Sequence, residues 1–256
     1  MDEGRRVAGI VLAGGRGSRM GEGGKSLRRL GDRTLLECVW ERAAGQVGVL
    51  LLNYNDDPGG LPVPAATVLP DPVPGYPGPL AGVLAGLEFL REHRPDLCWM
   101  ASFPCDSPWF PRNLVSRLLM EAERCGAPVA VAAADGRMQP VFALWSVVVA
   151  TRLRTALLEG AQRGVGAFLR GLPHVCVDWS ASDEDPFFNI NTPEELALAE
   201  RRLADERRGR STRALPVNVC REVSSWVHCT AEKSSRSQAS VRDLSPRGCW
   251  PIWVQT

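Results

Sequence analysis

The chain has 256 residues, 45% of them hydrophobic, enough for one α/β domain with a sizeable core. A formal net charge of +1 excludes a global electrostatic case for nucleic acid or an anionic membrane. Apolar runs such as Val141–Trp145 with Val147–Ala150 fall far short of the ~20 residues that a membrane-spanning helix needs.

In chain order, the apolar run Val7–Leu12 predicts a buried strand. It empties into a loop with glycines at 14, 15, 17, 21, 23 and 24 and cations at Arg16, Arg19 and Lys25. Glycine lets a ligand approach the backbone closely, and successive N–H groups in such a loop make a concave anion site. Thr34-Leu-Leu-Glu37 is a capping box that predicts a helix to about Gln46. Strands are predicted at Val47–Leu52 and Ala66–Leu69, then a helix over Leu80–Arg91 and a strand over Leu97–Phe103. A helix over Asn113–Arg124 and a strand over Pro128–Ala134 follow. Asp135–Pro140 reads as a turn, with later strands at Val141–Trp145 and His174–Val177. Thr192-Pro-Glu-Glu195 opens the last helix, expected to run to about Arg207: Thr caps, Pro takes the first turn, and the acids face the positive helix end. Alternating strands and helices predict an α/β fold, a mostly parallel sheet with helices on both faces.

The texture changes near residue 208. Residues 1–207 carry 22 Lys and Arg against 26 Asp and Glu, a balance of −4, whereas residues 208–256 carry 8 against 3, a balance of +5. The latter hold eight serines and no lasting periodicity, so residues 1–207 are expected to form the domain and 208–256 a disordered tail. Trp226, Trp250 and Trp253 leave open a tail that docks a partner. Eight cysteines include no C-x-x-C pair, which argues against a zinc site; those at 38, 98, 105, 125 and 176 sit mostly in apolar segments and read as core thiols of a cytoplasmic protein.

Two familiar glycine signatures fail on the first loop. The dinucleotide fingerprint would need a glycine at Met20, and the phosphate loop ending Gly24-Lys25-Ser26 would need one at Arg19. The run Leu12-Ala-Gly-Gly15, Arg19-Met-Gly21, Lys25 and Leu27 instead resembles the opening signature of the molybdenum cofactor guanylyltransferases. Tyr76-Pro-Gly-Pro-Leu-Ala-Gly82, Phe103-Pro-Cys-Asp-Ser-Pro108 and Asn189-Ile-Asn-Thr-Pro-Glu-Glu-Leu196 follow in the family's order. The resemblance covers about residues 6–205 and implies a single Rossmann-like nucleotidyltransferase domain.

The resemblance implies transfer of GMP from GTP to molybdopterin with release of diphosphate, and Mg²⁺ as cofactor. Leu12, Ala13 and Gly14 match positions that hold the nucleotide through backbone groups, and Lys25 matches the lysine that reaches the triphosphate. Arg19 would neutralise phosphate charge. Asn53 matches the guanine-binding asparagine and Asp71 a nucleotide-contacting aspartate; Asp106 matches the metal ligand, with Asn191 a candidate second oxygen. Gln139, Asn189 and Asn191 match elements near the second substrate. Catalytic roles therefore fall to Arg19, Lys25 and Asp106. Gly24 stands where the family has an acidic residue. Molybdoenzymes or their chaperones are implied as further partners. Alternatives are a sister enzyme (a molybdopterin cytidylyltransferase or a sugar-phosphate nucleotidyltransferase) and a non-catalytic protein that delivers cofactor. The Gly14 of the first loop and the Pro77–Gly82 segment set the chain apart from the cytidylyl relatives.

Overall fold

The structure is a computed structural model that describes residues 6–14, 25–63, 66–75, 78–160, 164–180 and 185–207. Arg19, Tyr76, Pro77 and the segment 208–256 lie outside these residues, as does the side chain of Lys25. The elements run β1 (Val7–Leu12), a 3₁₀ turn (Lys25–Leu27), β2 (Arg29–Leu30), β3 (Arg33–Thr34), α1 (Leu35–Ala44), β4 (Val49–Asn53) and β5 (Thr67–Leu69). They continue α2 (Pro79–His93), β6 (Trp99–Pro104), α3 (Leu114–Cys125), β7 (Val129–Ala134) and β8 (Arg137–Ser146). After a second 3₁₀ turn (Val147–Val149) come α4 (Ala150–Leu158), α5 (Val165–Arg170), β9 (Val175–Asp178) and α6 (Pro193–Arg207).

Seven strands form one sheet in the order β5-β4-β1-β6-β8-β7-β9. β8 alone runs antiparallel to its neighbours β6 and β7; the other pairings are parallel. β1 is buried along its whole length, as a strand covered on both faces must be. On one face Leu80, Leu84 and Leu87 of α2 pack with Leu153, Leu157 and Phe168 of α4 and α5. On the other, Leu36 and Val39 of α1 pack with Leu114 and Leu118 of α3. Each fully buried aliphatic side chain contributes about 1.5–3 kcal/mol, so these two layers dominate stability. α2 lies against the sheet through Gly82 and Gly86, where an added Cβ would stand 2.4 Å from Asn53 Oδ1 and 2.5 Å from Met100 Sδ.

Predicted and observed elements agree most closely where the signal is local. β1 has the predicted bounds, and the capping box of α1 forms, with Thr34 Oγ1 accepting from the Glu37 amide at 3.1 Å and Glu37 Oε2 accepting from the Thr34 amide at 2.6 Å. Four corrections arise. The segment expected as a six-residue turn closes over Asp135-Gly136 alone, whose φ values of 50° and 70° suit a tight hairpin. Gln139 and Pro140 therefore lie within β8. The register jumps between Val131↔Ala143 and Ala132↔Gln139, and Pro140, which has no N–H to give, sits in the jump. The buried Ser102 hydroxyl serves the displaced strand, donating to Val141 O at 2.6 Å, and receives the Trp145 indole N–H at 2.9 Å. Second, α4 and α5 arise where no helix was predicted; both are short, α4 follows the β-branched run Val147–Val149, and α5 is entered through Gly164. Third, of the cysteines read as core thiols only Cys105 is buried as a free thiol. Cys125 and Cys176 are exposed and Cys38 is half-buried. Cys125 is the last residue of α3 and Cys176 takes an outward register on β9, so an apolar sequence neighbourhood does not place them inside. Fourth, Arg29–Leu30 and Arg33–Thr34 form a small hairpin absent from the prediction, too short to show a period. No helix among the described residues is long and apolar enough to cross a membrane.

Candidate functional site

The chain leaves β1, builds β4 and β5 on one side of it, and returns to place β6 on the other side. In an open α/β sheet such a reversal opens a crevice at the carboxyl ends of the strands. The glycine-rich loop leaves β1 at this edge, Asn53 ends β4, Asp71 follows β5, and Asp106 follows β6. Because β8 runs antiparallel, its beginning, with half-buried Gln139, lies at the same edge as the ends of β6 and β7. Predicted residues from five separate segments thus share one edge of the sheet.

They fall into two clusters. The first surrounds Asp71. Asn53 is 3% exposed, and its amide donates to Leu69 O at 3.1 Å and Asp71 Oδ1 at 2.9 Å. Asn55 donates to Asp71 Oδ2 at 2.9 Å and Gly14 O at 3.0 Å, and its own carbonyl accepts the Asp71 amide at 2.8 Å. Both carboxylate oxygens of Asp71 thereby accept from amides. A carboxylate has about four acceptor positions, so two remain for a ligand's donors. Gly14 and Gly82 make the arrangement possible: a Cβ on Gly14 would lie 2.7 Å from Asn55 Nδ2 and 2.8 Å from Asn53 Oδ1. Both hydrogens of the Asn53 amide go to Leu69 and Asp71, so Asn53 braces Asp71, while its carbonyl oxygen lies against Gly14 and Gly82. Asn55, to which the sequence reading assigned no role, is the second brace; the alternation Asn53-Tyr54-Asn55 at a strand end was the signal for it.

Backbone groups in Leu12–Gly14 are also engaged. Ala13 N–H donates to Asn53 O at 3.0 Å, Leu12 O accepts from Cys105 N–H at 3.3 Å, and Gly14 O receives Asn55. This ties the loop entrance to β4 on one side and to the turn after β6 on the other. Lys25 begins the 3₁₀ turn that precedes the β2–β3 hairpin.

The second cluster surrounds Asp106, which is half-buried in a turn between Pro104 and Pro108. Ser107 is fully buried; its hydroxyl donates to Asn189 Oδ1 and stands 3.4 Å from Asp106 Oδ1. Ile190 N–H donates to Asp106 O at 2.9 Å. Asn189 and Asn191 are exposed, and Glu195 caps α6 by accepting from the amides of Asn191 at 2.6 Å and Thr192 at 2.9 Å. The loop carrying the asparagines is held from below by buried Phe187 and Ile190. Phe103, Phe110, Phe142 and Phe187 form a ladder with successive ring centroids 5.0, 5.5 and 4.9 Å apart, ending edge-on at Trp179. The segment after Asp106 is pinned by α1 and the residues that follow it. Arg42 donates to the carbonyls of Phe110 and Trp109, and Gln46 donates to Pro111 O at 3.1 Å and accepts from Val115 N–H at 3.1 Å. Burial lowers the Arg42 guanidinium to about 10.

Among the described residues no three His, Cys, Asp or Glu side chains gather to hold a metal ion. What the second cluster offers a cation is oxygen: the Asp106 carboxylate and the amide carbonyls of nearby asparagines. That set suits a hard divalent cation that keeps waters and takes substrate phosphates, and does not suit zinc or a redox metal.

The model of the MobA-like NTP transferase domain matches residues 9–175. A protein of Rhodopseudomonas palustris (strain HaA2) named molybdenum cofactor guanylyltransferase is 48% identical over 191 residues, spanning 75% of this chain and 89% of the relative. One of Bradyrhizobium sp. (strain ORS 278) with the same name is 44% identical over 202 residues, spanning 79% and 95%. Among solved structures, molybdopterin-guanine dinucleotide biosynthesis protein A from Archaeoglobus fulgidus superposes with a TM-score of 0.62 at 24% identity, covering 77% of this chain and 99% of that one.

Proposed function

The chain belongs to the MobA-like NTP transferase family and is a nucleotidyltransferase, and from that premise we propose that it transfers GMP from GTP to the phosphate of molybdopterin. An oxygen of that phosphate bonds to the α-phosphorus of GTP, the bond from this phosphorus to its bridging oxygen breaks, and diphosphate leaves. The observation that carries the reading is the presence of two polar clusters on either side of β1 at one sheet edge. One is built around a braced carboxylate, the other around a carboxylate beside exposed amides. The names of the 48% and 44% identical relatives supply the substrates.

In this reading Asp71 receives donor groups of the guanine nucleotide, and Asn53 and Asn55 act through it. Gly14 admits the nucleotide close to the backbone, while Lys25 and Arg19 supply charge to the triphosphate. Asp106, with Asn191 as a second oxygen, would hold Mg²⁺, which when bound neutralises charge on the phosphates. Gln139, Asn189 and Asn191 face the second substrate. Holding two phosphate groups in line in a neutralising field supplies most of the rate, so no nucleophilic side chain is needed. Residues 1–207 carry the activity and 208–256 are a dispensable appendage, so truncation after Arg207 leaves turnover and Tm unchanged. The reaction belongs to the cytoplasm, where GTP is made.

The test is diphosphate release with molybdopterin and Mg²⁺ across GTP, CTP and ATP. GTP is expected to lead in kcat/KM by about a hundredfold or more, since polar groups left unpaired by the wrong base are costly. Equal use of CTP overturns the guanylyl assignment. Nucleotide binding without diphosphate release replaces it with the delivery protein.

A further inference from the structure

Ser107 has no place in the reaction as proposed above, yet it is the only fully buried hydroxyl among the described residues that touches two residues of the site. It is 0% exposed, and its one O–H lies between two acceptors, Asn189 Oδ1 and Asp106 Oδ1, the latter at 3.4 Å. These acceptors are 82 and 1 residues away in sequence, so the hydroxyl joins two segments that the chain itself does not hold together. A second link runs beside it, from Ile190 N–H to Asp106 O at 2.9 Å. Ser107 offers a single hydrogen and can donate fully to only one oxygen at a time. A buried hydroxyl is costly unless satisfied, so one of the two contacts is always kept.

We infer that Ser107 is a positioning residue, which couples the orientation of the Asp106 carboxylate to that of the Asn189 amide. This inference rests on the reading of Asp106 as a ligand of a divalent cation and of Asn189 as a contact of the second substrate. With Ser107 in place, the cation-binding oxygen and the amide that meets the second substrate keep one spacing. Without the hydroxyl, the carboxylate loses the contact that ties its Oδ1 to the asparagine loop, and Asn189 Oδ1 faces a methyl group. Partners that orient a metal-binding carboxylate are typically worth ten- to a hundredfold in metal affinity. Neither Asn53, Asn55 nor Asp71 hydrogen-bonds to Ser107, so the nucleotide end should be indifferent to the change.

The experiment compares the full-length protein with Ser107→Ala, Ser107→Thr and Asp106→Ala. Mn²⁺ is titrated in the absence of nucleotide and free Mn²⁺ is read by electron paramagnetic resonance. KM values for GTP and for molybdopterin are measured separately. Ser107→Ala is expected to weaken Mn²⁺ binding by about tenfold and to raise the KM for molybdopterin with that for GTP within twofold. Ser107→Thr, which keeps the hydroxyl, restores both. Unchanged Mn²⁺ affinity in Ser107→Ala, beside loss of binding in Asp106→Ala, overturns the inference and leaves the reading of Asp106 standing. Unchanged affinity in Asp106→Ala overturns that reading instead. Should Ser107→Ala fail to fold, Asn189→Ala removes the other end of the link; wild-type Mn²⁺ affinity there counts equally against the coupling.

Discussion

The two clusters at the sheet edge reach comparable order by different means. Around Asp71 the order is made by hydrogen bonds: Asn53 and Asn55 bridge only 16 to 18 residues to reach it, and one amide is 3% exposed. Around Asp106 it is made by packing: the asparagine loop arrives from 82 residues away and is seated by Phe187 and Ile190 on an aromatic ladder. A dense local network tolerates little change in its own atoms but needs little from the rest of the fold. A loop brought from afar tolerates changes in its exposed residues but depends on the core that seats it. The first kind of site is vulnerable to polar substitution, the second to loss of buried apolar volume.

The sharpest way to set the clusters apart is to remove the carboxylate of each. Asp106→Ala is expected to lower kcat about a thousandfold or more, as loss of several kcal/mol of charge neutralisation implies, with Tm within a few degrees of wild type. Diphosphate release at saturating Mg²⁺ checks it, and near-normal turnover in a folded variant would dissolve the contrast.

Next in size is Phe187→Ala. Emptying a 2% exposed aromatic position in the ladder should cost about 3–5 kcal/mol of stability. Denaturant unfolding gives that figure, and kinetics on the folded protein should show a raised KM for the second substrate with the KM for GTP unchanged. A raised KM for GTP would mean that the clusters are not independent.

The converse experiment is Asn55→Asp. It removes a donor from Gly14 O and Asp71 Oδ2 and sets a like charge against Asp71. Loss of a hydrogen bond to a charged group is worth about 1.5–3 kcal/mol, so the KM for GTP should rise by about ten- to a hundredfold while stability changes little. An unchanged KM for GTP removes Asn55 from the site.

The smallest expected effect lies outside both clusters, at the capping box of α1. The Thr34 backbone and side-chain hydrogen bonds hold the Glu37 carboxyl below its usual range. A lowered folded value means that the stabilisation is present above the unfolded carboxyl value and is lost as pH falls through the folded one. Glu37→Gln should therefore cost about 0.3–1 kcal/mol at pH 7 and nothing below the carboxylate range, read from Tm at both pH values. An equal deficit at both would place the effect in packing rather than charge.

What the sequence determined by itself was whatever is written within a turn of helix or a few residues of strand. The six apolar residues Val7–Leu12, the Thr34/Glu37 box and Thr192-Pro-Glu-Glu195 each specify an element through local period and capping chemistry, and each forms as predicted. The positions of Asp71 and Asp106 at strand ends were legible for the same reason. Only the tertiary structure decided that β8 enters the sheet antiparallel, because its neighbours are chosen by pairing and burial across tens of residues. Only it decided that Asn53 turns inward to brace Asp71, since both ends of that bond are polar and carry no period. And only it joined Ser107 to Asn189, a contact whose two partners meet because Phe187 and Ile190 are buried, not because anything near Ser107 in the chain requires it.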